Sequence, residues 1–468
     1  MRRSFLIAVA AAAALSIAGK PALGAESRPV VFENVNVIPM DRERVIERQT
    51  VLVREGRIAQ ISAAGKVKAP EGALRVSGEG KYLMPGLAEM HGHLPLADAS
   101  QESVESWFFL YVANGVTTVR GMIGNPANLE QRASIAAGRL LGPTLHVAGP
   151  AFTGQNAPTP AIAIQMVRNE KAAGYDLLKI LDSGITVEVY DAIARTAKEA
   201  RIPFAGHVPD LVGVEHAIEA HQSTIEHLDH YIQAMEADDS PIRNADSATR
   251  AREIPFHLDE SKMAKLAKKT KDAGVWNVPT MAVWVDFYSK DTGEELLRKK
   301  PELQYLSHTL VDQWIRGKNA LLRPPLRGFM GFVPASATGD RVIEVRRKML
   351  RALHEAGARI ALGTDSPQSF SVPGFSIHHE MPIMVECGFT PFEVLQSGTR
   401  APAEYFGELK EFGTVEVGKR ADLILLEANP LKDVGNVARR AGVMVRGRWL
   451  PESLIQERLK KIAAAAAK

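Results

Sequence analysis

The sequence predicts an α/β fold: a (β/α)8 TIM-type barrel with a small β-sandwich domain built from both chain ends. Three observations support it. Between residues 87 and 401, short apolar runs alternate with helix-length amphipathic stretches, as in parallel βα units. Eight apolar runs can be counted there, and no glycine-rich phosphate turn marks an open doubly wound sheet. Alternating β-type stretches flank this middle region on both sides.

The chain begins with a segment typical of a cleavable signal peptide, residues 1–24. Arg2 and Arg3 precede an apolar run that ends near Ala18, and small residues follow. The paired arginines also resemble a twin-arginine export signal; the basic start of a general export signal is the alternative. We therefore expect a periplasmic or secreted protein. The run is shorter than the roughly 20 residues that span a bilayer, so no membrane span is expected.

The amino-acid composition limits the kinds of molecule that the protein is expected to bind. Apolar residues make up 46% and charged residues 24% of 468 positions, which is ordinary for a globular protein and excludes disorder. The formal charge of +3 comes from Arg2, Arg3 and Lys20, all in the leader. A neutral mature chain suggests neither nucleic-acid nor anionic-membrane binding. Cys387 is the single cysteine, so no intrachain disulfide or cysteine-rich zinc site is expected, whereas 13 histidines remain.

The predicted elements follow in chain order. Residues 26–86 form the N-terminal part of the β-sandwich, with a hairpin loop at 55–57, and residues 402–450 form its C-terminal part, with a turn at 446–448. The two parts are expected to pair with each other. Residues 87–401 form the barrel, with helical inserts near 231–274 and 285–357, and residues 451–468 form a surface helical tail. The eight barrel strands are predicted at 87–93, 116–120, 144–148, 177–181, 203–207, 223–227, 276–279 and 359–365.

Two histidines one residue apart, His91 and His93, end the first barrel strand. Side chains at i and i+2 of a strand lie on one face, about 6.6 Å apart, so both imidazoles can reach one metal ion. Short His-Gly-His stretches also occur by chance. The residues at the other strand ends distinguish a metal site from a chance pattern, because barrel enzymes build their sites at the carboxyl ends of their strands.

Those ends carry further metal-capable residues: His207 on strand five, His227 on strand six and Asp365 on strand eight. Singly, each histidine could be a hydrogen-bonded structural residue, and Asp365 could cap a turn. Lys179 lies inside an apolar strand, where its charge is costly unless it is neutralised or reversed. Reaction with CO2 would give an anionic carbamate able to bridge two cations; a lysine that reaches solvent or pairs with a carboxylate is the alternative.

Together these motifs resemble the metal-dependent amidohydrolase superfamily, in particular its imidazolonepropionase-like and Xaa-Pro dipeptidase-like group. The resemblance covers almost the whole mature chain. It rests on Tyr82-Leu83-Met84-Pro85-Gly86-Leu87 before His91, Asn114 to Arg120, Gly174 to Lys179, Ile225-Glu226-His227, Gly363-Thr364-Asp365 and Gly413 to Leu423.

The resemblance implies a binuclear site, with zinc the favoured metal. His91, His93 and Asp365 would hold one ion, His207 and His227 the other, and carboxylated Lys179 would bridge them. A mononuclear site is the rival, since some relatives lack the lysine. His379 resembles a position near the site and is a candidate for a residue that holds a metal ligand in place without binding the metal itself; a structural role at a helix start is the alternative. Arg120 could meet a substrate carboxylate, but an acidic neighbour is favoured.

The implied chemistry is hydrolysis of an amide by a metal-bridging hydroxide, with Asp365 as the proton shuttle. Dipeptides and N-acyl amino acids are the favoured substrates. His207 is followed by Val208-Pro209-Asp210, where many dipeptidase relatives carry a substrate-contacting tyrosine, so a xenobiotic or toxin amide or carbamate, or a cyclic amide or lactone, is the alternative. A metal- or ligand-binding protein without turnover is the non-enzyme alternative. Substrate, metal identity and homo-oligomerisation stay open.

Overall fold

The structure is a computed structural model that describes residues 28–181, 184–322 and 337–467. The predicted signal peptide, residues 1–24, lies outside these ranges. Among the described residues, no helix combines the length and the apolar character needed to cross a bilayer.

One mixed sheet joins the two ends of the chain, as predicted. Its strands run in the order β16-β15-β14-β5-β1-β2-β3, with β4 paired to β1. The link between the ends is the antiparallel pair β14 and β5, with Leu423 opposite Pro85. A two-layer sandwich stays a prediction. The strands are β1 (Val30–Val37), β2 (Ile46–Arg54), β3 (Arg57–Ala63), β4 (Leu74–Ser77), β5 (Tyr82–Pro85), and, after the strands of the middle region, β14 (Leu423–Leu426), β15 (Arg440–Val445) and β16 (Arg448–Pro451).

Both predicted hairpin turns are present. Glu55 and Gly56 connect β2 to β3 with φ values of 53° and 75°, and Arg446 and Gly447 connect β15 to β16 with 46° and 80°. Two-residue turns with positive φ at both positions match the right-handed twist of the paired strands, and glycine adopts this conformation at no steric cost. These turns therefore fix the register of both hairpins.

Eight parallel strands form the middle region and match the eight predicted runs. They pair in the orders β6-β7-β8 and β9-β10-β11-β12-β13. Single parallel bridges, Ala148 with Leu177 and Gly92 with Ser366, connect the two groups at both sides. Closure into one barrel stays a prediction. The strands are β6 (Leu87–Gly92), β7 (Val116–Gly121), β8 (Thr144–Val147), β9 (Leu178–Ile180), β10 (Phe204–Gly206), β11 (Thr224–Glu226), β12 (Trp276–Val278) and β13 (Arg359–Ile360).

The last of these strands is shorter than the predicted 359–365. Regular pairing ends at Ile360, but the chain stays beside β6: the amide of Met90 donates to the carbonyl of Leu362, and the amide of Asp365 donates to the carbonyl of His91. The reason is that the following residues bend at Asp365, where φ is 59°. Asp365 is thus held by a main-chain hydrogen bond to β6, and not to β13, the strand that precedes it in the chain.

Helices connect and cover the parallel strands. Their ends follow the sequence: α3 begins after Thr159, whose side chain accepts from the amide of Ile162, and ends at Gly174 with a φ of 87°. The helices are α1 (Gln101–Ala113), α2 (Pro126–Ala136), α3 (Pro160–Ala173), α4 (Val187–Ala200), α5 (Gly213–Glu219), α6 (Tyr231–Ala234), α7 (Ser247–Glu253), α8 (Lys262–Ala273), α9 (Met281–Tyr288), α10 (Gly293–Lys299), α11 (His308–Leu321), α12 (Ala337–Glu355), α13 (Ile377–Glu386), α14 (Pro391–Ser397), α15 (Arg400–Tyr405) and α16 (Glu452–Ala466).

The main core lies between the parallel strands and these helices, and a second core fills the mixed sheet. The predicted tail is helical, as α16 shows, and it also packs inward through Ile455, Leu459 and Ile462. The two predicted inserts contain α6 to α8 and most of α9 to α12. Helix α12 packs on α8 and α9, so the two inserts contact each other.

Candidate metal centre

The six side chains predicted as metal ligands come from five strands yet line one cavity of about 1680 Å³. All lie at or just beyond the carboxyl ends of the parallel strands, which is where parallel strands bring their terminal residues together. They are His91, His93, Lys179, His207, His227 and Asp365.

His91, His93 and Asp365 form a compact donor group. One ligand atom from each lies within 4.8 Å of the other two. Oδ1 of Asp365 is 2.8 Å from Nε2 of His93 and 3.3 Å from Nε2 of His91. Both imidazoles therefore face the same carboxylate oxygen, as the i and i+2 spacing predicts.

Backbone contacts hold this group in place. The carbonyl of His91 accepts from the amide of Asp365 at 2.7 Å. Below it, the buried carboxylate of Glu89 accepts from the amides of His91 and Thr364 at 2.9 and 2.8 Å. Burial raises the pKa of Glu89 to about 8, while its hydrogen bonds with Thr364 and His91 act to lower it. Strand β6 and the segment that carries Asp365 are thus joined through both main chain and side chain.

His207 and His227 form the second pair, with ring centroids 4.7 Å apart. Nδ1 of His207 is 2.7 Å from Oδ2 of Asp229, so the carboxylate accepts a hydrogen bond from Nδ1–H and leaves Nε2 available to bind a metal ion. Burial acts to raise the pKa of Asp229, but the charge and the hydrogen bond of His207, together with the charges of His227 and His230, hold that pKa well below its usual range. Nδ1 of His227 is likewise held, at 2.7 Å from Oγ1 of Thr280.

Lys179 lies in β9 and is almost completely buried, with 1% of its surface exposed. Its amine makes no hydrogen bond or ion pair with any residue in the described ranges, although it lines the cavity. Burial lowers the pKa of its amine, against the opposing charges of Glu226, Asp365 and Asp229. A neutral, unpaired amine is the form that reacts with CO2.

A buried ion pair supports His91 from below. Nδ1 of His91 is 2.7 Å from Oε2 of Glu226, and Oε1 of Glu226 accepts from Nη2 of Arg120 at 2.8 Å. Arg120 is fully buried and also donates to the carbonyl of Met90. The prediction of an acidic neighbour for Arg120 is confirmed. The carboxylate fixes the His91 tautomer, so that Nε2 faces the cavity.

Sequence reasoning gave no role to the residues that orient the ligands: Glu226, Asp229 and Thr280. Glu226 carried a usable signal, since a carboxylate inside an apolar strand needs a partner, and Arg120 in another strand is a suitable one. Asp229 and Thr280 carried none. Their positions depend on backbone turns: φ is 59° at His227, 54° at Leu228 and 46° at Thr280. Non-glycine residues in this conformation are uncommon and cluster at functional sites.

The remaining histidines differ in position. Nε2 of His379 is 2.6 Å from Oε1 of Glu302, and His379 is not among the described residues that line the cavity. Its role in supporting the metal ligands stays a prediction. His230 does line the cavity, with Nε2 3.3 Å from Oδ1 of Asp210.

Both predicted inserts help to form the cavity wall. The first insert contributes Ile232 and Arg250, and the second contributes Phe287, Trp314 and Arg346. Imidazole nitrogens, a carboxylate and a lysine amine line the floor, a donor set suited to zinc and similar divalent ions. Cys387 is buried in the core and does not line the cavity, so no thiolate is available from the described residues.

Comparison with known proteins adds four findings. The model of the Amidohydrolase family matches residues 82–450. An imidazolonepropionase from Shouchella clausii (strain KSM-K16) is 33% identical over 117 residues, which are 24% of this chain and only 22% of that relative's length. A Xaa-Pro dipeptidase with bound methionine in its active site is 19% identical with a TM-score of 0.64, over 90% of this chain and 100% of that chain.

A putative prolidase from Bifidobacterium longum is 23% identical with a TM-score of 0.67, over 94% of this chain and 100% of that chain. At such identities the two structural likenesses show the fold alone. That fold is an α/β architecture of the TIM-barrel-like kind.

Proposed function

The chain belongs to the amidohydrolase family, and on that premise we propose that it is an exported, binuclear metal-dependent amidohydrolase that cleaves an amide in a dipeptide or N-acyl amino acid. The family acts on small molecules and is typically metal-dependent. One observation carries the proposal: six metal-capable side chains, distant in sequence, line one cavity. Three of the four histidines among them have Nδ1 held by a neighbouring oxygen, which leaves Nε2 as the donor.

Each side chain has an assigned part. His91, His93 and Asp365 would hold one divalent ion, and His207 and His227 the other. Lys179, buried and unpaired within the described residues, would bridge them as its carbamate. Zinc is the favoured metal. Two such ions would lower the pKa of water towards neutrality and polarise the amide carbonyl.

Asp365 is the residue that moves the proton. Its carboxylate already lies within hydrogen-bond reach of His93, and it is partly exposed to the cavity. It would accept a proton from the attacking water and deliver it to the leaving nitrogen, which must receive one before the amide can separate. His91 and its Glu226 and Arg120 partners would keep this carboxylate in position.

The favoured substrate class comes from the family and from two structural relatives whose names describe a dipeptidase and a prolidase. A second candidate, a larger aromatic xenobiotic or toxin amide or carbamate, is favoured by one feature. The upper cavity wall is aromatic: Trp284, Phe287, Tyr288, Trp314 and Phe370 line it. Such a wall suits ligands that carry a ring.

The finer architecture and the location belong to the same proposal. The two bridges between the parallel strand groups support a closed (β/α)8 barrel, and the shared terminal sheet supports a β-sandwich built from both ends. Export rests on the sequence of residues 1–24. Cell fractionation, with N-terminal sequencing of the mature protein, tests it: protein found in the cytoplasm with these residues retained would contradict export.

The direct test combines metal analysis with a hydrolysis screen. We expect about two ions per chain, in keeping with a binuclear site, and turnover of members of a dipeptide and N-acyl amino acid panel. Chelation should abolish turnover, and added zinc should restore it. A metal-loaded protein that hydrolyses no amide, ester or lactone would be a binding protein instead. Ammonia release would indicate a deaminase.

A further inference from the structure

Four lysine and arginine side chains line the cavity among the described residues, and three have evident roles. Lys179 lies among the predicted ligands. Arg250 pairs with both carboxylate oxygens of Glu236, at 3.3 and 2.7 Å. Lys318 donates to the carbonyls of Asp286, Phe287 and Ser289 at 2.8, 2.8 and 2.6 Å. Arg346, the fourth, lies on α12 and is bound differently.

Arg346 is a buried cation that forms no salt bridge with a described residue, although the charge of Asp229 acts on it from a longer distance. Only 7% of its surface is exposed, and no carboxylate of a described residue lies within ion-pair distance. Nη1 donates to the main-chain carbonyl of His227, and the guanidinium carbon is 4.3 Å from the centre of the Trp284 ring. One face and one nitrogen of the group are therefore occupied by the protein.

The other edge of the guanidinium is available. Nε is buried and has no hydrogen-bond partner, and Nη2 makes no hydrogen bond with any described residue. Nε and Nη2 project parallel N–H groups, the arrangement that binds a carboxylate through two hydrogen bonds. A buried guanidinium left in this state is costly unless an anion completes it. Since Arg346 lines the cavity, that anion can come from the ligand.

We infer that Arg346 binds the α-carboxylate of the substrate, on the amino acid that leaves when the amide is cleaved. The inference rests on the proposed function: dipeptides and N-acyl amino acids share this carboxylate one residue beyond the scissile amide. The placement agrees, because Arg346 contacts the backbone of His227 and packs on Trp284, whose ring centre is 6.0 Å from that of His227. Consecutive Cα atoms are about 3.8 Å apart, so a carboxylate one residue beyond an amide held at the candidate metal centre can reach a side chain this close to His227. A substrate without a free carboxylate would leave Arg346 without a salt-bridge partner among the described residues.

The first test compares each hydrolysed dipeptide and N-acyl amino acid with its C-terminal carboxamide. The wild-type enzyme should prefer the free acid by about 10- to 100-fold in kcat/KM, as expected for a charge-assisted bidentate contact. Arg346→Met should erase this preference by raising KM for the acid, with little effect on the carboxamide. Arg346→Lys should recover only part of it, because an ammonium lacks the two-pronged edge. Equal rates for acid and carboxamide in the wild type would overturn the inference while leaving amide hydrolysis intact.

The second test needs no turnover and separates the two proposals. Calorimetric titration of the metal-loaded protein with 4-phenylbutanoate and with the neutral 4-phenylbutan-1-ol measures binding of a carboxylate and of its matched alcohol. Tighter binding of the carboxylate, lost in Arg346→Met, would support the site even if no substrate is cleaved. Unchanged carboxylate binding in Arg346→Met would overturn it, and would indicate that the bound metals take the carboxylate.

The matched control is Arg347→Met. Arg347 is the next residue on α12, pairs with Glu386 and does not line the cavity. It should keep both the preference for the free acid and the binding of 4-phenylbutanoate. Circular dichroism of all three variants checks that α12 is retained.

Discussion

Strands β11 and β14 are equally buried and differ in what they bury. In β14 every side chain is aliphatic, and all four are within 1% of full burial. In β11 the strand ends at Glu226, which is as inaccessible, and His227 follows it. Strand β14 belongs to the terminal mixed sheet, and β11 belongs to the candidate metal centre.

The difference separates two uses of burial. An aliphatic side chain taken out of water stabilises the fold by about 1.5–3 kcal/mol. Burying a carboxylate or an imidazole does not stabilise the fold unless a charged or hydrogen-bonding partner offsets the loss of hydration. Even then, a buried ion pair is weak evidence for stability. We therefore expect changes in the terminal sheet to alter stability and changes at the strand ends to alter chemistry.

The largest effect is expected from Asp365→Asn. The amide cannot accept the proton, so kcat should fall by at least about 10³-fold, within the range of general acid–base catalysis. Metal content and thermal midpoint should change little, because one ligating oxygen and the side-chain shape remain. Kinetics and metal analysis measure this, and Asp239→Asn, an exposed aspartate, is the control. Substantial activity in Asp365→Asn would remove its assigned role.

Lys179→Met should follow, with a loss of about 10²- to 10³-fold in activity, since metal coordination is what sets the reactivity of the water. Bound metal should fall below two ions per chain. Lys318→Met is a matched control, because Lys318 is also a buried lysine of the cavity wall. The Lys318→Met variant should keep its full metal content and be less stable than the wild type. Full metal content in Lys179→Met would show that Lys179 is not a ligand.

In the terminal sheet, Leu425→Ala should destabilise the protein by about 2–5 kcal/mol, the usual cost of truncating a buried leucine. Leu425 is 1% exposed. Below the unfolding transition, kcat/KM should match the wild type. Urea unfolding and kinetics at low denaturant measure both quantities. A large loss of kcat/KM in the folded variant would break the division between the two regions.

Asp229→Asn should have a smaller effect, lowering metal affinity by about 10- to 100-fold, as is typical for partners that orient a ligating histidine. The amide no longer fixes the proton on Nδ1 of His207. Equilibrium dialysis against zinc measures the affinity. Asp210→Asn is the control, since Asp210 pairs with His230, a cavity histidine outside the predicted ligand set. Equal affinities for all three proteins would mean that His207 binds no metal.

Glu170 offers the mildest test, away from both regions. Burial raises the pKa of Glu170 from 4.5 to about 8, and Oε2 has no hydrogen-bond partner among the described residues. Between those two values the folded state holds a proton that the unfolded state releases. Stability should therefore fall as pH rises from about 4.5 to about 8, by at most about 1.4 kcal/mol per pH unit.

Glu170→Gln should remove this slope, so the variant should be more stable than the wild type at pH 8 and similar at pH 5. Thermal midpoints across this pH range measure it. Identical profiles for the two proteins would mean that Glu170 is compensated in the folded state.

Local pattern was enough to predict much of this molecule. The eight parallel strands, the hairpins at Gly56 and Gly447, and the six cavity residues could all be located in the sequence, because strand alternation, turn chemistry and the positions of strand ends are local properties. The length of the last parallel strand was wrong because the bend at Asp365 depends on its neighbours in β6.

Long-range packing accounts for what could not be predicted. Asp229 contacts His207 only because the chain turns sharply after β11. Arg346 looks like any arginine of an amphipathic helix, and only the packing of α12 against the cavity distinguishes it from Arg347. Such contacts involve residues far apart in the chain, and no periodicity records them.

A single residue, Gly86, separates β5 of the terminal sheet from β6, which leads to His91 and His93. Strand β5 gains its antiparallel neighbour only when β14, more than 300 residues later, has been synthesised. The ribosome must therefore finish nearly the whole polypeptide before the first two histidines are anchored on both sides. Such distant pairing is slow to form, so we expect the proposed metal ions to bind the completed chain and not the nascent one.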